Sequence, residues 1–245
     1  RKTYFGTTSH FGRSIKNFWH NACCNNSPAK ICKKTKKTQG CLILNKEEII
    51  KKFLIKKKHK NFIDRYLCLL EEHNKNINLV GKSTLVNPWL SHVLDSLQVL
   101  PFIGDKNQSI LDMGTGAGLP GVILKICGCR RVTLIDSNGK KINFLKTINS
   151  EMNLGLRPIL GRLENIHDLR FDIITSRALA SLDSLFTYSQ KFIKKNTVLI
   201  FLKGKTVNEE IDLARKNWLF DLARHQSISD QRGSLIIVKN LKKND

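Results

Sequence analysis

From Asn45 onward the apolar positions follow first a helical rhythm and then a mixed one. Ile49, Ile50, Phe53 and Leu54 recur at three- and four-residue steps behind Asn45, which can cap a helix, while Glu47 and Glu48 suit a helix N-terminus. A second helix is predicted over residues 61–74, with Phe62, Tyr66, Leu69 and Leu70 on one face. A third is predicted over residues 89–100, behind Pro88. Past residue 108 the rhythm changes. Short apolar runs at 109–113, 131–135, 157–160, 171–175, 197–202 and 235–238 alternate with helical stretches at 119–127, 139–152, 181–194 and 207–217. Such alternation predicts a parallel sheet wrapped by helices on both faces. Three regions follow: residues 1–45, a helical lead-in over 46–104, and an α/β core over 105–245.

Composition adds a partner to this picture. A chain of 245 residues with 41% hydrophobic content supports one α/β domain with a helical addition. Its 42 Lys and Arg against 20 acids give a formal charge of +22, which attracts phosphate backbones. Codon bias toward Lys, Asn and Ile is the bland source of the same excess. Residues 1–45 hold nine basic residues and no acid, and the remainder still carries +13. That first segment lacks periodicity and is expected to be disordered. It reads as a basic RNA-binding arm, an organelle transit peptide, or sequence upstream of the biological start, since the chain opens on Arg1 rather than Met. Seven cysteines show neither paired CxxC spacing nor a zinc pattern, so a reduced, intracellular protein without a metal is expected. No apolar run is long enough for a membrane span, which points to a soluble, cytoplasmic protein.

The most informative stretch runs from Ile110 to Gly121, Ile-Leu-Asp-Met-Gly-Thr-Gly-Ala-Gly-Leu-Pro-Gly, a strand entering a glycine turn and then a helix. Glycines there permit positive φ and close approach of backbone to ligand, and the new helix offers free N–H groups. Gly114, Gly116 and Gly118 are spaced G-x-G-x-G, yet from Gly116 the string also satisfies the dinucleotide pattern, so the motif alone does not choose a ligand. Asp112, just before the turn, can hold the loop or meet a cationic amino-acid group, and would repel a pyrophosphate. Asp136 ends the next strand 22 residues after Gly114, where an acid accepts from ribose hydroxyls. Arg177 follows the fourth strand, at the sheet edge where open α/β sheets hold ligands.

Several separated strings resemble the RsmG family, also called glucose-inhibited division protein B. They are Asn74 to Leu79, His92-Val93-Leu94-Asp95-Ser96, the loop Asp112 to Gly121, Leu134 to Ser137, Gly161 to Glu164, Ser176-Arg177-Ala178 and Leu202-Lys203-Gly204. The likeness spans about residues 60–240. His73, Gly81 and Ala117 depart from the family pattern, where Trp, Thr and Pro are usual. The resemblance implies a Rossmann-like class I S-adenosylmethionine-dependent methyltransferase with a mainly parallel seven-stranded sheet. It also implies methylation of N7 of a guanine, guanine 527, in 16S ribosomal RNA of the small subunit. Cofactor contacts carry over to Gly114 and Leu119 in the loop, to Leu163 and Glu164 near the adenine, and to Arg177; Gly116 and Asp136 join them from the residue reading.

Guanine N7 bears a lone pair and no proton, so no obligatory catalytic nucleophile or base is expected and positioning supplies the rate enhancement. Cys127 and Cys129 lack the Pro-Cys setting of cytosine C5 chemistry, and Thr175 to Ala178 stands where amino-group methyltransferases carry Asn/Asp-Pro-Pro-aromatic. Candidate RNA contacts are His92, Arg162, Arg177, Lys203 and Lys205, with Lys75 from the lead-in. Lys56 to Lys60 reads as a solvated helix face, and His92 and Asp95, three apart, are placed to hydrogen-bond each other. A monomer working on RNA or the small subunit is expected. The competing readings are a nicotinamide oxidoreductase, which lacks a Tyr-x-x-x-Lys pair here, and a ribosome-binding factor that has lost catalysis.

Overall fold

The computed structural model describes residues 44–244. The readings made for residues 1–43 lie outside this span. Helix α1 (Lys46–Lys52) opens on the expected cap: Asn45 Oδ1 accepts from Glu48 N at 3.0 Å while Glu48 Oε2 accepts from Asn45 N at 2.7 Å. Helix α2 (Lys57–Asn74) buries Ile63, Tyr66, Leu67, Leu69 and Leu70 and starts four residues earlier than its apolar face suggests. Lys56, Lys57 and Lys58 at its start are exposed, as a solvated face requires, whereas His59 and Lys60 are half-buried and Lys60 Nζ pairs with Asp64 Oδ2 at 2.8 Å. Asn74 terminates it, its Oδ1 accepting from the backbone of Leu79 and Val80, both at 2.9 Å. The third predicted helix is irregular: a π turn over Trp89–Leu94 leads into α3 (Asp95–Leu97) and a 3-10 turn at Leu100–Phe102.

Seven strands form one sheet in the order β3-β2-β1-β4-β5-β7-β6. They are β1 (Ser109–Met113), β2 (Arg131–Asp136), β3 (Arg157–Leu160), β4 (Phe171–Arg177), β5 (Ile193–Lys203), β6 (Trp218–Gln226) and β7 (Ser234–Lys243). The first five run parallel, and β7 is antiparallel to both β5 and β6, so the sheet is mixed at one edge. Helices α4 (Gly121–Ile126), α5 (Gly139–Glu151), α6 (Leu182–Ser189) and α7 (Val207–Asn217) connect them.

Strand β1 shows how the two faces are filled. Its Ile110 packs among residues of α2, α4 and α5, while Leu111 and Met113 pack on the other side with Leu182, Leu185 and Phe186 of α6 and Ile211 of α7. A strand covered on both sides reads as continuously apolar, which is why β1, β2 and β4 stand out in the sequence. Edge strand β6 alternates buried and open positions, with Trp218, Phe220 and Leu222 on the packed side, and escapes a search for unbroken apolar runs. Helix α6 ends five residues before the predicted boundary, because a 3-10 turn at Gln190–Phe192 buries Phe192 and starts β5 at once.

Candidate functional site

Strands β2 and β4 flank β1 and leave it in opposite directions through the sheet, so the crevice outside their carboxyl ends is the switch point of the fold. The glycine turn lies there. Gly114, Gly116 and Gly118 all have positive φ, at 62°, 59° and 97°. A Cβ on Gly114 would sit 2.4 Å from Leu179 Cδ1, and one on Gly118 2.4 Å from Val122 Cγ2. Gly116 differs: a Cβ there would meet nothing within 4 Å, so its backbone borders open space that a ligand can enter.

Three anchors hold this turn. Asp112 Oδ2 accepts from Thr115 Oγ1 at 2.6 Å and from Gly121 N at 3.0 Å, and its Oδ1 accepts from Thr175 Oγ1 at 3.2 Å. Of the two roles open to Asp112 from sequence, the structure therefore gives it the loop. Its burial pushes the carboxyl up to about 6, against the opposing pull of those hydrogen bonds. Asp136, 8% exposed, takes Gly116 N on Oδ2 at 2.9 Å and Asn138 N on Oδ1 at 2.8 Å. Tyr66 of α2 donates its hydroxyl to Ala117 O at 2.9 Å, fastening the lead-in to the loop. Neither Tyr66 nor Thr175 is legible for this work from sequence, because each presents itself only as an apolar-face or strand residue.

The other expected residues divide into groups. Gly161 N donates to Asp136 O at 3.0 Å and sets the Arg162–Glu164 segment beside the acid, with Leu163 buried and Arg162 and Glu164 exposed. Leu119 is buried in the core. Lys205 is exposed in the turn after β5. Lys203 is committed elsewhere: its Nζ pairs with Glu210 Oε2 at 2.6 Å and donates to Ala180 O at 2.7 Å, closing the loop after β4. Glu210 Oε2 also accepts from Leu182 N at 2.9 Å.

Arg177 is no solvated surface charge. Its Nη1 donates to Asp95 Oδ2 at 3.0 Å and to Ser91 O at 3.2 Å, with both charged side chains mostly buried. Asp95 thus pairs with the arginine rather than with His92. Its Oδ1 accepts from Gln98 Nε2 at 2.9 Å and Ser229 Oγ at 2.7 Å, joining the lead-in to the β6–β7 connection. Cys127 and Cys129 precede β2, at the opposite edge of the sheet from the glycine turn. Burial pushes their thiols up to about 12 and about 11, which suits structural residues and not thiolate nucleophiles.

Comparison with known proteins gives this crevice a context. The family described as rRNA small subunit methyltransferase G matches residues 59–237. Ribosomal RNA small subunit methyltransferase G of Rickettsia typhi is 38% identical over 175 residues, covering 71% of this chain and 91% of that protein. Its counterpart in Rickettsia prowazekii is 37% identical over the same length and shares. Among solved structures, the glycopeptide N-methyltransferase MtfA complexed with S-adenosyl-L-homocysteine aligns with a TM-score of 0.51 at 8% identity, over 60% of this chain and 88% of that one. A variant of MtNAS in complex with S-adenosylmethionine aligns at 0.52 and 13% identity, over 79% and 83%. These two share the fold.

Proposed function

Because this chain belongs to the rRNA small subunit methyltransferase G family, we propose that it transfers a methyl group from S-adenosylmethionine to N7 of a guanine in 16S ribosomal RNA, guanine 527 by family likeness. The class I methyltransferase fold and the enzyme class follow from the family and the fold neighbours. The observation that carries the cofactor reading is the open cradle at Gly116, whose N–H is held by Asp136 while the space above its Cα stays free. A backbone groove bordered by a carboxylate fits a nucleoside with ribose hydroxyls to donate.

Gly114, Gly116 and the Leu119 backbone would border the cofactor, Asp136 would accept from its ribose, Leu163 and Glu164 would flank the adenine, and Arg177 would meet its amino-acid end. When bound, S-adenosylmethionine supplies an electrophilic methyl group on a sulfonium. The chain's own task is orientation. Guanine N7 needs no deprotonation, so a rigid crevice that fixes the approach supplies the proximity contribution, up to about 7–11 kcal/mol in favourable systems. Asp112 serves this by locking the loop, and Lys203 by locking the segment after β4. Arg162 and Lys205, exposed at the same edge, are placed to take phosphates, and the +22 chain as a whole draws RNA toward it. Among the described residues no helix is long and apolar enough to cross a membrane, in keeping with work on ribosomal subunits in the cytoplasm.

The experiment is transfer of labelled methyl to small subunits, or to their RNA, from a strain lacking the modification, followed by mapping of the labelled base. Label on guanine N7 supports the reading. Label on another atom or RNA moves the substrate assignment, and cofactor binding without transfer to any RNA favours a binding factor.

A further inference from the structure

The two ring nitrogens of His92 stand in different circumstances. Nδ1 lies 3.4 Å from Nη1 and 3.5 Å from Nη2 of Arg177. A guanidinium can only donate, so in this contact Nδ1 keeps its lone pair and accepts, in competition with the Ser91 carbonyl for the ring. Burial first, and the Arg177 charge second, hold the imidazole down at about 4, so the ring is neutral at physiological pH. In a neutral imidazole whose Nδ1 accepts, the hydrogen resides on Nε2. That Nε2–H belongs to a residue 2% exposed and has no hydrogen-bond partner among the described residues. Buried donors are paired in the great majority of native structures, so one left open on a ring packed against Arg177 marks a place where an acceptor arrives.

The surroundings select the acceptor. In the β1–β4 register Met113 stands opposite Ser176, which brings Arg177 next to Gly114 at the start of the glycine turn. The ribose end of the crevice is marked by Asp136, so the Gly114 end is left for the amino-acid portion of the cofactor. A guanidinium stabilises an anion at this spot. It would oppose a purine that gains positive charge on methylation. Asp95 occupies Nη1 and keeps the arginine oriented, while among the described residues Nη2 has only His92 Nδ1 within hydrogen-bond reach.

We propose that His92 Nε2–H and Arg177 together receive the carboxylate of S-adenosylmethionine, making His92 a cofactor-binding residue rather than an RNA contact. This rests on the cofactor reading above. The test is calorimetric binding of two ligands to the full chain at neutral pH: S-adenosylhomocysteine, and 5′-methylthioadenosine, which keeps the nucleoside and sulfur but has no amino-acid end. His92→Asn places an amide where Nδ1 stands and removes the Nε2 donor, whereas His92→Gln reaches the Nε2 position. The expected result is a loss of about tenfold or more in S-adenosylhomocysteine affinity for the Asn variant, equivalent to about 1.4 kcal/mol, with the Gln variant within about threefold of wild type. Methylthioadenosine should bind all three alike. Equal losses for both ligands would make His92 a structural residue and overturn the proposal. Unchanged affinity for both, with a raised KM for RNA, would overturn it in favour of a base contact. Wild-type protein that binds neither ligand would instead sink the cofactor reading itself.

Discussion

Arg177 Nη1 and Asp95 Oδ2 meet at 3.0 Å across the junction between the helical lead-in and the end of β4. The other Asp95 oxygen is held by Gln98 and Ser229, so one carboxylate joins three segments distant in sequence. Removing one partner of such a pair strands a mostly buried charge, so Asp95→Ala should lower unfolding stability by about 3 kcal/mol. Urea denaturation reads this directly. Arg177→Lys should not substitute, because one ammonium cannot reproduce the fork that serves Asp95, Ser91 and His92 together. An Asp95→Ala chain within about 0.5 kcal/mol of wild type would show that the pair contributes only orientation.

The glycine turn separates stability from binding. Gly118→Ala combines a φ of 97° with a Cβ 2.4 Å from Val122 and 2.7 Å from Leu145, so it should cost about 3 kcal/mol of folding stability. Gly116→Ala carries a similar backbone penalty of about 1 kcal/mol but meets no neighbour, and its methyl group enters the open space of the crevice. The Gly116 variant should therefore unfold near the wild-type temperature while losing at least about tenfold in cofactor affinity. Calorimetry and thermal unfolding on the same two variants check the contrast; a Gly116 variant with undiminished affinity would remove that residue from the site.

Much of this was legible in the residues. The apolar runs of β1, β2 and β4 reflect burial on both faces, and the G-x-G-x-G turn with acids at Asp112 and Asp136 marks the crevice, because close backbone approach admits few other residues. The harder features depend on partners that only the fold brings together. Lys203 looks like a free cation until β5 and α7 bring Glu210 within 2.6 Å. Likewise His92 and Asp95 look like mates on one helical turn, but the π turn and the Arg177 guanidinium redirect both. Local periodicity carries no information on a pairing made 82 residues away.

Asp136 is expected to hold the ribose, and its two backbone bonds define what a variant must preserve. Asp136→Ala loses the acceptors for Gly116 N and Asn138 N, so it weakens the turn as well as the ligand contact. Asp136→Asn retains an oxygen for one of these while removing the charge. Both variants should lower S-adenosylhomocysteine affinity by at least about tenfold, with the Ala variant the less stable by about 1 kcal/mol. Unchanged affinity in the Asn variant would show that the acid shapes the loop without touching the ribose.

His92 and Asp112 should tilt the pH dependence of stability in opposite senses. His92 is held down at about 4 against an ordinary 6.5, so the unfolded chain binds the extra proton first; the stability tied to its neutral form is present above pH 6.5 and is lost as pH falls toward 4. Asp112 is pushed up to about 6 against an ordinary 3.8, so the folded chain holds the extra proton; that stability is fully present below pH 3.8 and is lost as pH rises through 6. Each contribution reaches about 3 kcal/mol at its limit, and between pH 4 and 6 they oppose one another in the wild type. Asp112→Asn, which keeps acceptor and donor positions for Thr115, Gly121 and Thr175, should leave a chain whose stability rises more steeply with pH across that window than wild type. His92→Asn should leave one whose stability rises less steeply or falls. Denaturation midpoints taken at several pH values for the three proteins measure both slopes, and parallel curves would mean that neither group titrates away from its ordinary range in the folded chain.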